Sequence, residues 1–582
     1  MKKRLLLLLT FLLPAILLAL FYQPAPAAPG PADVDVWVVQ IYFDDQAELQ
    51  ALADWREPWE VDVAAGFLLV EIRPVEYDIL TTAGFRVEVD QARTETANLV
   101  AEPLPGQDGG TIPGYPCYRT VESTLDSGAL LASTYPDLAT WSDIGDSWEK
   151  VQASGEELTL QNPAGLGYDI MVLKLTNSNI SGPKPQLFVS GGIHAREYTS
   201  AETAIRLAEY LLGNYGVDPD VTWLLDYHEI HIVPQTNPDG RKIAEAPDIW
   251  HRKNTNDDAC SALVNPGIDL NRNFPFLWGY NSGSSSSGCD DTYRGSGPVS
   301  EPEALAIVDY VRSTFPDQRP NDLTIPAPIT TTGIFIDLHS YSNVILWPWG
   351  PPSADIGSNI SPNQLGYNAL ARRMGFINGY AASKTLSYSV SGTTKDFAYG
   401  ELGIAAFTME MGTEFHQSCS VFENSMIADN LATLIYAAKA SRQPYALPFG
   451  PDMVELEFVG PTLVGEPALL QARADDGRYG AGHANNPSGQ VLSQPVVAAY
   501  YYVDLPPWEA GAVAQPMAAA DGSFSSSSEV VTATIDTSGL APGRHIIYLQ
   551  AEDFDGDRGV VSAIFLDLVD GENIYLPTIV QP

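Results

Sequence analysis

Residues 191–199 read Gly191-Gly192-Ile193-His194-Ala195-Arg196-Glu197-Tyr198-Thr199. Before them, Gln186-Leu187-Phe188-Val189-Ser190 is a short apolar run bounded by the two glycines, the pattern of a buried strand. After them, apolar residues at Ala204, Leu207, Tyr210 and Leu211 within Ser200 to Leu212 have the spacing of an amphipathic helix. The stretch therefore reads as a strand-to-helix junction at the edge of a sheet, where α/β proteins build their sites. On such a turn His194 and Glu197 can aim an imidazole and a carboxylate at one centre. That mixed nitrogen and oxygen set suits zinc, and a catalytic zinc site adds one more protein ligand and an open position. A His-x-x-Glu pair is common in proteins without a metal, so the third ligand has to come from elsewhere in the chain.

At 582 residues the chain is too long for one core and should hold about three domains. Its apolar fraction of 45% is ordinary, but its formal net charge of −41 is not. That charge argues against nucleic acid or an anionic membrane as partner, because neutralising phosphates takes clustered Lys and Arg. Lys2, Lys3 and Arg4 precede an apolar run from Leu5 to Phe21 and then Ala25-Pro26-Ala27, the pattern of a secretory signal over residues 1–27. The alternative is an uncleaved anchor. A secreted protein with no membrane contact after signal cleavage, and a monomer, is expected. Four cysteines in an exported chain suggest two disulfides, with three possible pairings. Cys260 and Cys289 flank a Gly/Ser-rich excursion, which favours that local pair and leaves Cys117 with Cys419. No CxxC spacing supports cysteine ligation of zinc.

Taken in order, residues 33–96 form a first unit. Val36 to Tyr42, Phe67 to Ile72 and Phe85 to Val89 read as strands, with a helix over Gln46 to Trp55 and a second, short one, a βαβαβ pattern. Residues 97–114 carry the Pro/Gly-rich run Pro103 to Gly114 and read as a linker. From 115 to 447 strands and helices alternate. Ile170 to Leu175, Gln186 to Ser190, Glu229 to Val233, Gly333 to Leu338 and Ile404 to Met411 are the strand candidates. Ala201 to Leu212, Glu301 to Thr314 and Asn363 to Gly375 are helix candidates. The fold class is α/β: a mixed central sheet covered by helices, flanked by the N-terminal α+β unit. Residues 452–570 consist of short strands between Gly/Pro/Asp turns, the texture of an immunoglobulin-like β-sandwich. Its loop Asp553-Phe554-Asp555-Gly556-Asp557 could take calcium, but lacks the rest of a calcium loop and reads better as a hairpin turn.

Three further segments carry polar residues suited to one reaction. Asp337-Leu338-His339-Ser340 follows an apolar run, so His339 sits where a strand leaves the sheet and could be the third ligand; a structural histidine is the competing reading. Phe407-Thr408-Met409-Glu410 ends another strand, and Glu410 could take a proton from a water acidified by the cation, or could simply be salt-bridged. In Gly267-Ile268-Asp269-Leu270-Asn271-Arg272-Asn273, Arg272 with Asn271 could clamp a carboxylate, since a guanidinium fork matches it bidentately; a surface ion pair is the competing reading.

With these segments in hand, the chain from Cys117 to Leu447 resembles the zinc metallocarboxypeptidases of the carboxypeptidase A/B type. The likeness also takes in Asn237-Pro238-Asp239-Gly240, Trp250-His251-Arg252-Lys253, Ser300-Glu301-Pro302-Glu303 and His339-Ser340-Tyr341-Ser342, in the same order. It implies one Zn²⁺ per chain on His194, Glu197 and His339, with Asp269 orienting His194. It implies Glu410 as general base, Arg252 polarising the scissile carbonyl, and Asn271 with Arg272 holding the terminal carboxylate of a peptide. Arg196 would touch residues upstream of the cut, and Tyr388 matches the family's mobile tyrosine. The resemblance places Lys395 at the floor of the pocket for the terminal side chain, where an ammonium should favour Glu or Asp. The 33–90 region is similar to the family's prosegments in pattern and position, implying a cleft covered until proteolysis near Pro103 to Gly114. Rival readings are a cell-wall muropeptide amidase, against which Asn271, Arg272 and Tyr388 speak, and a catalytically silent secreted peptide-binding protein, against which Glu410 and Arg252 speak.

Overall fold

The computed structural model describes residues 36–98, 103–104, 107, 109–153, 167–245, 248–260, 265–350, 360–383, 386–480 and 493–569. The expected signal segment and part of the linker (99–102, 105–106 and 108) lie outside the described residues. Strands β1 (Trp37–Tyr42), β2 (Glu60–Asp62), β3 (Phe67–Ile72) and β4 (Val87–Val89) pair antiparallel in the order β2-β3-β1-β4. Val39, Ile41, Leu68 and Val70 bury one face of this sheet against Leu49 and Leu52 of helix Gln46–Trp55 and Leu80 of helix Pro74–Thr82. On the other face Val38 and Leu69 pack with Ala97, Trp59 and Trp250. The βαβαβ reading needs two additions, β2 and a helix over Gln91–Ala97. Both are short and mostly polar, so neither shows an apolar period.

A hairpin of β5 (Thr111–Ile112) and β6 (Tyr115–Arg119) opens the large middle region. There β7 (Ala139–Asp146), β8 (Asp169–Leu175), β9 (Gln186–Ser190), β10 (Glu229–Val233), β11 (Ile334–His339), β12 (Val344–Leu346), β13 (Ala381–Ser383) and β14 (Ala405–Glu410) make one mixed eight-stranded sheet. Their order is β13-β12-β14-β11-β9-β10-β8-β7. The central four, β14-β11-β9-β10, are mutually parallel. Their runs are mostly apolar because helices cover both faces, and Leu187, Val189, Ile334, Ile336, Ala405 and Phe407 lie in the main core. The strands absent from the sequence reading are the half-polar edge β7 and the three-residue β12 and β13. Helices Tyr198–Asn214, Pro302–Thr314, Gln364–Asn378 and Ile427–Ala440 cover the sheet. Two disulfides, Cys117–Cys419 and Cys260–Cys289, tie this region, the first across 302 residues.

The C-terminal strands form two antiparallel four-stranded sheets. One holds β15 (Asp452–Val459), β16 (Ala468–Asp475), β20 (Ser528–Ile535) and β19 (Ala518–Ala519). The other holds β18 (Gln515–Pro516), β17 (Val496–Val503), β21 (Gly543–Asp553) and β22 (Ser562–Leu568). Leu470, Ala472, Val531, Leu549 and Leu566 share a core of their own. Tyr502, Tyr548, Val561 and Ala563, by contrast, belong to the core of the middle region. Arg373, fully buried on helix Gln364–Asn378, donates to Asp452 at 2.9 Å and Asp476 at 3.0 Å, and Arg442 lies 4.0 Å over the Trp508 ring. These two sheets are thus fused to their neighbour through apolar area and buried ion pairs, not held by a tether. In the Asp553 to Asp557 loop, the Asp553 carboxylate accepts from the backbone amides of Asp555 and Asp557, which closes a turn.

Candidate active site

The parallel strands β9, β11 and β14 end at one edge of the sheet, and their register aligns their last residues. Asp337 pairs with Ser190 and with Thr408, and His339 lies directly beside Glu410. The loop leaving β9 turns at Gly192, whose φ is +69° and where a Cβ would lie 2.1 Å from Gln235 Oε1, so only glycine fits. The Asn237 amide donates to the carbonyls of Ile193 (3.2 Å) and Lys253 (3.0 Å), and Ala195 N donates to the Arg252 carbonyl at 2.9 Å. Residues 193–195 and 252–253 are therefore stitched side by side. Glu197 is the N-cap of helix Tyr198–Asn214, where the helix dipole favours a carboxylate.

This scaffold brings His194, Glu197 and His339 together, all buried. His194 Nδ1 is 2.7 Å from Glu197 Oε1, His339 Nδ1 is 3.1 Å from Glu197 Oε2, and the two Nδ1 atoms are 3.2 Å apart. Donor atoms of a tetrahedral zinc site lie about 3.3 Å apart at ordinary bond lengths. Among the described residues this is the one group of three or more His, Cys, Asp or Glu side chains whose ligand atoms converge. Both remote nitrogens are engaged: His194 Nε2 faces Asp269 Oδ1 at 3.2 Å, and His339 Nε2 faces Asp337 Oδ2 at 2.8 Å. That leaves both Nδ1 atoms directed at the common centre, the arrangement metal-binding imidazoles need. The electrostatics agree. Burial would raise the Glu197 carboxyl, but the two imidazoles hold it well below the usual carboxylate range. Burial likewise opposes charge on His339, yet Asp337 and Glu197 raise its pKa well above the ordinary value, so positive charge is favoured here. The donor set, its spacing and this preference fit zinc.

Around the centre, Asp269 does double duty: it faces His194 and accepts from Arg252 Nη2 at 2.8 Å and Nε at 3.2 Å. Burial disfavours its charge, but Arg252, Arg272 and His194 keep it ionised well below the normal range. Glu410 lines the same cleft, of about 580 Å³, and burial pushes its pKa up to about 8. Asn271 and Arg272 sit next to each other on a short 3₁₀ turn, with Thr394 N donating to Asn271 Oδ1 at 3.0 Å. Arg196 is buried with its guanidinium 4.2 Å above the Phe415 ring. Lys395 lies in the first turn of helix Thr394–Leu402, also buried; its Nζ donates to Thr393 Oγ1 at 3.2 Å, and burial lowers its pKa. No carboxylate among the described residues lies within ion-pair distance of that ammonium. All eleven side chains singled out in the sequence for metal, catalytic, substrate or orienting roles thus gather at one sheet edge.

Sequence reasoning missed three participants. Glu57, from the N-terminal unit, reaches into the cleft: it accepts from Arg272 Nη2 at 2.9 Å and from the Tyr388 hydroxyl at 2.9 Å, and lies 3.6 Å from Arg252. Nothing local marks Glu57, which follows the end of a helix. Asp337 and Thr394 complete the surroundings of His339. A signal for Asp337 existed, because residues i and i+2 of a strand share a face, so Asp337 had to point the same way as His339.

Comparison with known proteins gives a consistent picture. The family model described as zinc carboxypeptidase matches residues 126–430. Carboxypeptidase A1 of Bos taurus is 27% identical over 66% of this chain and 88% of its own length. Carboxypeptidase A2 of Rattus norvegicus is 30% identical over 59% of this chain and 73% of its own. In fold, the chain is similar to the carboxypeptidase A of Helicoverpa armigera, with a TM-score of 0.55 at 20% identity over 70% of this chain and 98% of that one.

Proposed function

Because the chain belongs to the zinc carboxypeptidase family, we propose that it is a secreted exopeptidase, made as a covered precursor, that trims peptides from the C-terminus and favours acidic end residues. The observation that carries the exopeptidase reading is a carboxylate already seated in the cleft: that of Glu57, on Arg272 and Tyr388. A peptide's terminal carboxylate would take the same place, with Asn271 beside it. His194, Glu197 and His339 would hold the metal. Bound there, zinc supplies Lewis-acid polarisation of a carbonyl and acidifies water. Glu410 would accept the proton of the attacking water and deliver it to the leaving amine. Arg252, fixed by Asp269, would face the developing oxyanion. Arg196 would meet the residues before the cut, and Tyr388 would close over the end residue. Neither a muropeptide amidase nor a silent binding protein is favoured by this set of groups. Release of C-terminal amino acids from peptides, abolished by a chelator and restored by zinc, tests the reading.

The acidic preference rests on the buried ammonium of Lys395, which among the described residues has a hydroxyl but no carboxylate within ion-pair distance. Peptides differing in the last residue alone should lose Glu faster than Leu or Arg. Replacing Lys395 by Ala should cut the rate on Glu by about 10–100-fold. Faster release of Leu or Arg by the parent enzyme rules the preference out.

The 33–96 unit is proposed as a prosegment, removed by cleavage in or near Pro103 to Gly114, and the C-terminal sheets as an immunoglobulin-like sandwich that braces the catalytic region. The signal-like N-terminus supports secretion, and among the described residues no helix is long and apolar enough to cross a membrane. Support for the prosegment comes from its contacts on the cleft rim: Trp59 stacks on Trp250 at 4.9 Å, Gln50 accepts from Ser389 N at 2.7 Å, and Arg56 pairs with Asp291 at 2.6 Å. Burial at this contact pushes Asp54 up to about 7 and Glu71 up to about 8, from ordinary values of 3.8 and 4.5. The covered state therefore binds more protons than the open one. Its hold is complete below about pH 4 and weakens as pH rises through 7 to 8. Activity of the unprocessed chain, divided by that of the processed enzyme, should rise about 10-fold between pH 6 and 9. A flat or falling ratio contradicts this.

A further inference from the structure

We propose that Asp337 is a positioning residue: it holds the His339 imidazole in its metal-binding orientation and couples it to the helix that carries Lys395. The proposal rests on the zinc reading above. In β11, whose other residues up to His339 are Ile334, Phe335, Ile336 and Leu338, Asp337 is the one carboxylate in an otherwise apolar, fully buried strand. It has no Lys or Arg partner within ion-pair distance among the described residues. Its Oδ1 accepts from Ser190 Oγ at 2.8 Å, while its Oδ2 accepts from Thr394 Oγ1 at 2.7 Å and His339 Nε2 at 2.8 Å. Beyond two neutral hydroxyls, His339 is the one partner here that can carry positive charge to offset the buried carboxylate. An apolar residue here would be the cheaper choice if stability alone mattered. The position makes sense when positive charge sits on the far side of the ring, at Nδ1, because the carboxylate then fixes the tautomer and raises the basicity of the ligating nitrogen.

The two hydroxyls show how the carboxylate is itself held. Ser190 ends β9, four residues before His194, so its bond links the two strands that deliver the two imidazoles. Thr394 opens helix Thr394–Leu402, and its backbone amide also donates to Asn271 Oδ1 at 3.0 Å. One carboxylate thus ties a metal ligand to the turn bearing Lys395, and through Thr394 to the amide proposed to hold the substrate's terminal carboxylate.

The test is zinc affinity of the full-length chain, by competition with a chromophoric chelator, together with the visible absorption of its cobalt form. Asp337→Asn keeps shape and hydrogen-bonding capacity but removes the charge. It should weaken zinc binding by about 10–100-fold and shift the cobalt bands. Zinc affinity within two-fold of the parent and an unchanged cobalt spectrum overturn the proposal. Should that variant fail to fold, Ser190→Ala combined with Thr394→Val frees the carboxylate without removing it. That pair should weaken zinc binding by about 3–10-fold, and an unaltered affinity again overturns the proposal. A parent chain that binds no zinc would instead sink the underlying zinc reading, so the two failures are distinguishable.

Discussion

Glu410→Gln is expected to lower kcat on a peptide substrate by about 10²–10⁴-fold while KM and zinc content stay within a few-fold of the parent. Glu410 ends β14, and parallel register sets it directly beside His339 on β11. Neighbouring strands are about 4.8 Å apart, and Glu410 lines the same cleft as His194, Glu197 and His339. Burial is the main reason its pKa is pushed up to about 8 in the covered cleft, with Glu197 and Glu57 adding to it and His339 opposing. A carboxylate at this place can take and return a proton; a glutamine of the same shape does neither. Because the substitution spares Arg272, Asn271 and the three donors, binding should survive and turnover should not. Steady-state kinetics of the processed enzyme, with metal content measured on the same sample, check it. A variant within five-fold of the parent in kcat would rule out the proton-shuttle role.

Arg272→Ala should reduce kcat/KM by about 10²–10³-fold on peptides with a free C-terminus and far less on the same peptides amidated. The reasoning comes from Glu57. Its carboxylate is held by Arg272 Nη2 and the Tyr388 hydroxyl in a site where the arginine side chain is 4% exposed and the glutamate 13%. Removing one partner of a buried charge pair strands the other, a cost of about 2–5 kcal/mol. In the processed enzyme the stranded charge is the substrate's terminal carboxylate, so selectivity for chain ends goes with it. In the unprocessed chain it is Glu57, so the same variant should also loosen the covering unit. The comparison of free and amidated peptides is the measurement; equal losses on both would refute the carboxylate clamp.

Much of this site was readable in the sequence because strand ends in a parallel sheet share one edge. An apolar run followed by a polar cluster therefore locates its cluster there, and three such runs bring Gly191–Glu197, Asp337–His339 and Glu410 together. The helix Gln46–Trp55 and strands β9, β10 and β17 were legible for the same kind of reason, each having a clear period or an unbroken apolar core. The short strands β2, β12 and β13 were not, since three residues carry no period and gain their pairing from neighbours far along the chain.

The amino-acid order by itself determined which chemistry this protein can carry: an imidazole, a carboxylate and a second imidazole at strand ends, and an arginine–asparagine pair on a turn-rich stretch. Only the folded arrangement decided that the Glu57 carboxylate rests on Arg272 and that the C-terminal sheets share a core with the middle region. Local patterns report which way a side chain points relative to its own strand or helix. Contacts between residues separated by 200 positions or more depend on how whole sheets pack, and no short window of sequence contains that information.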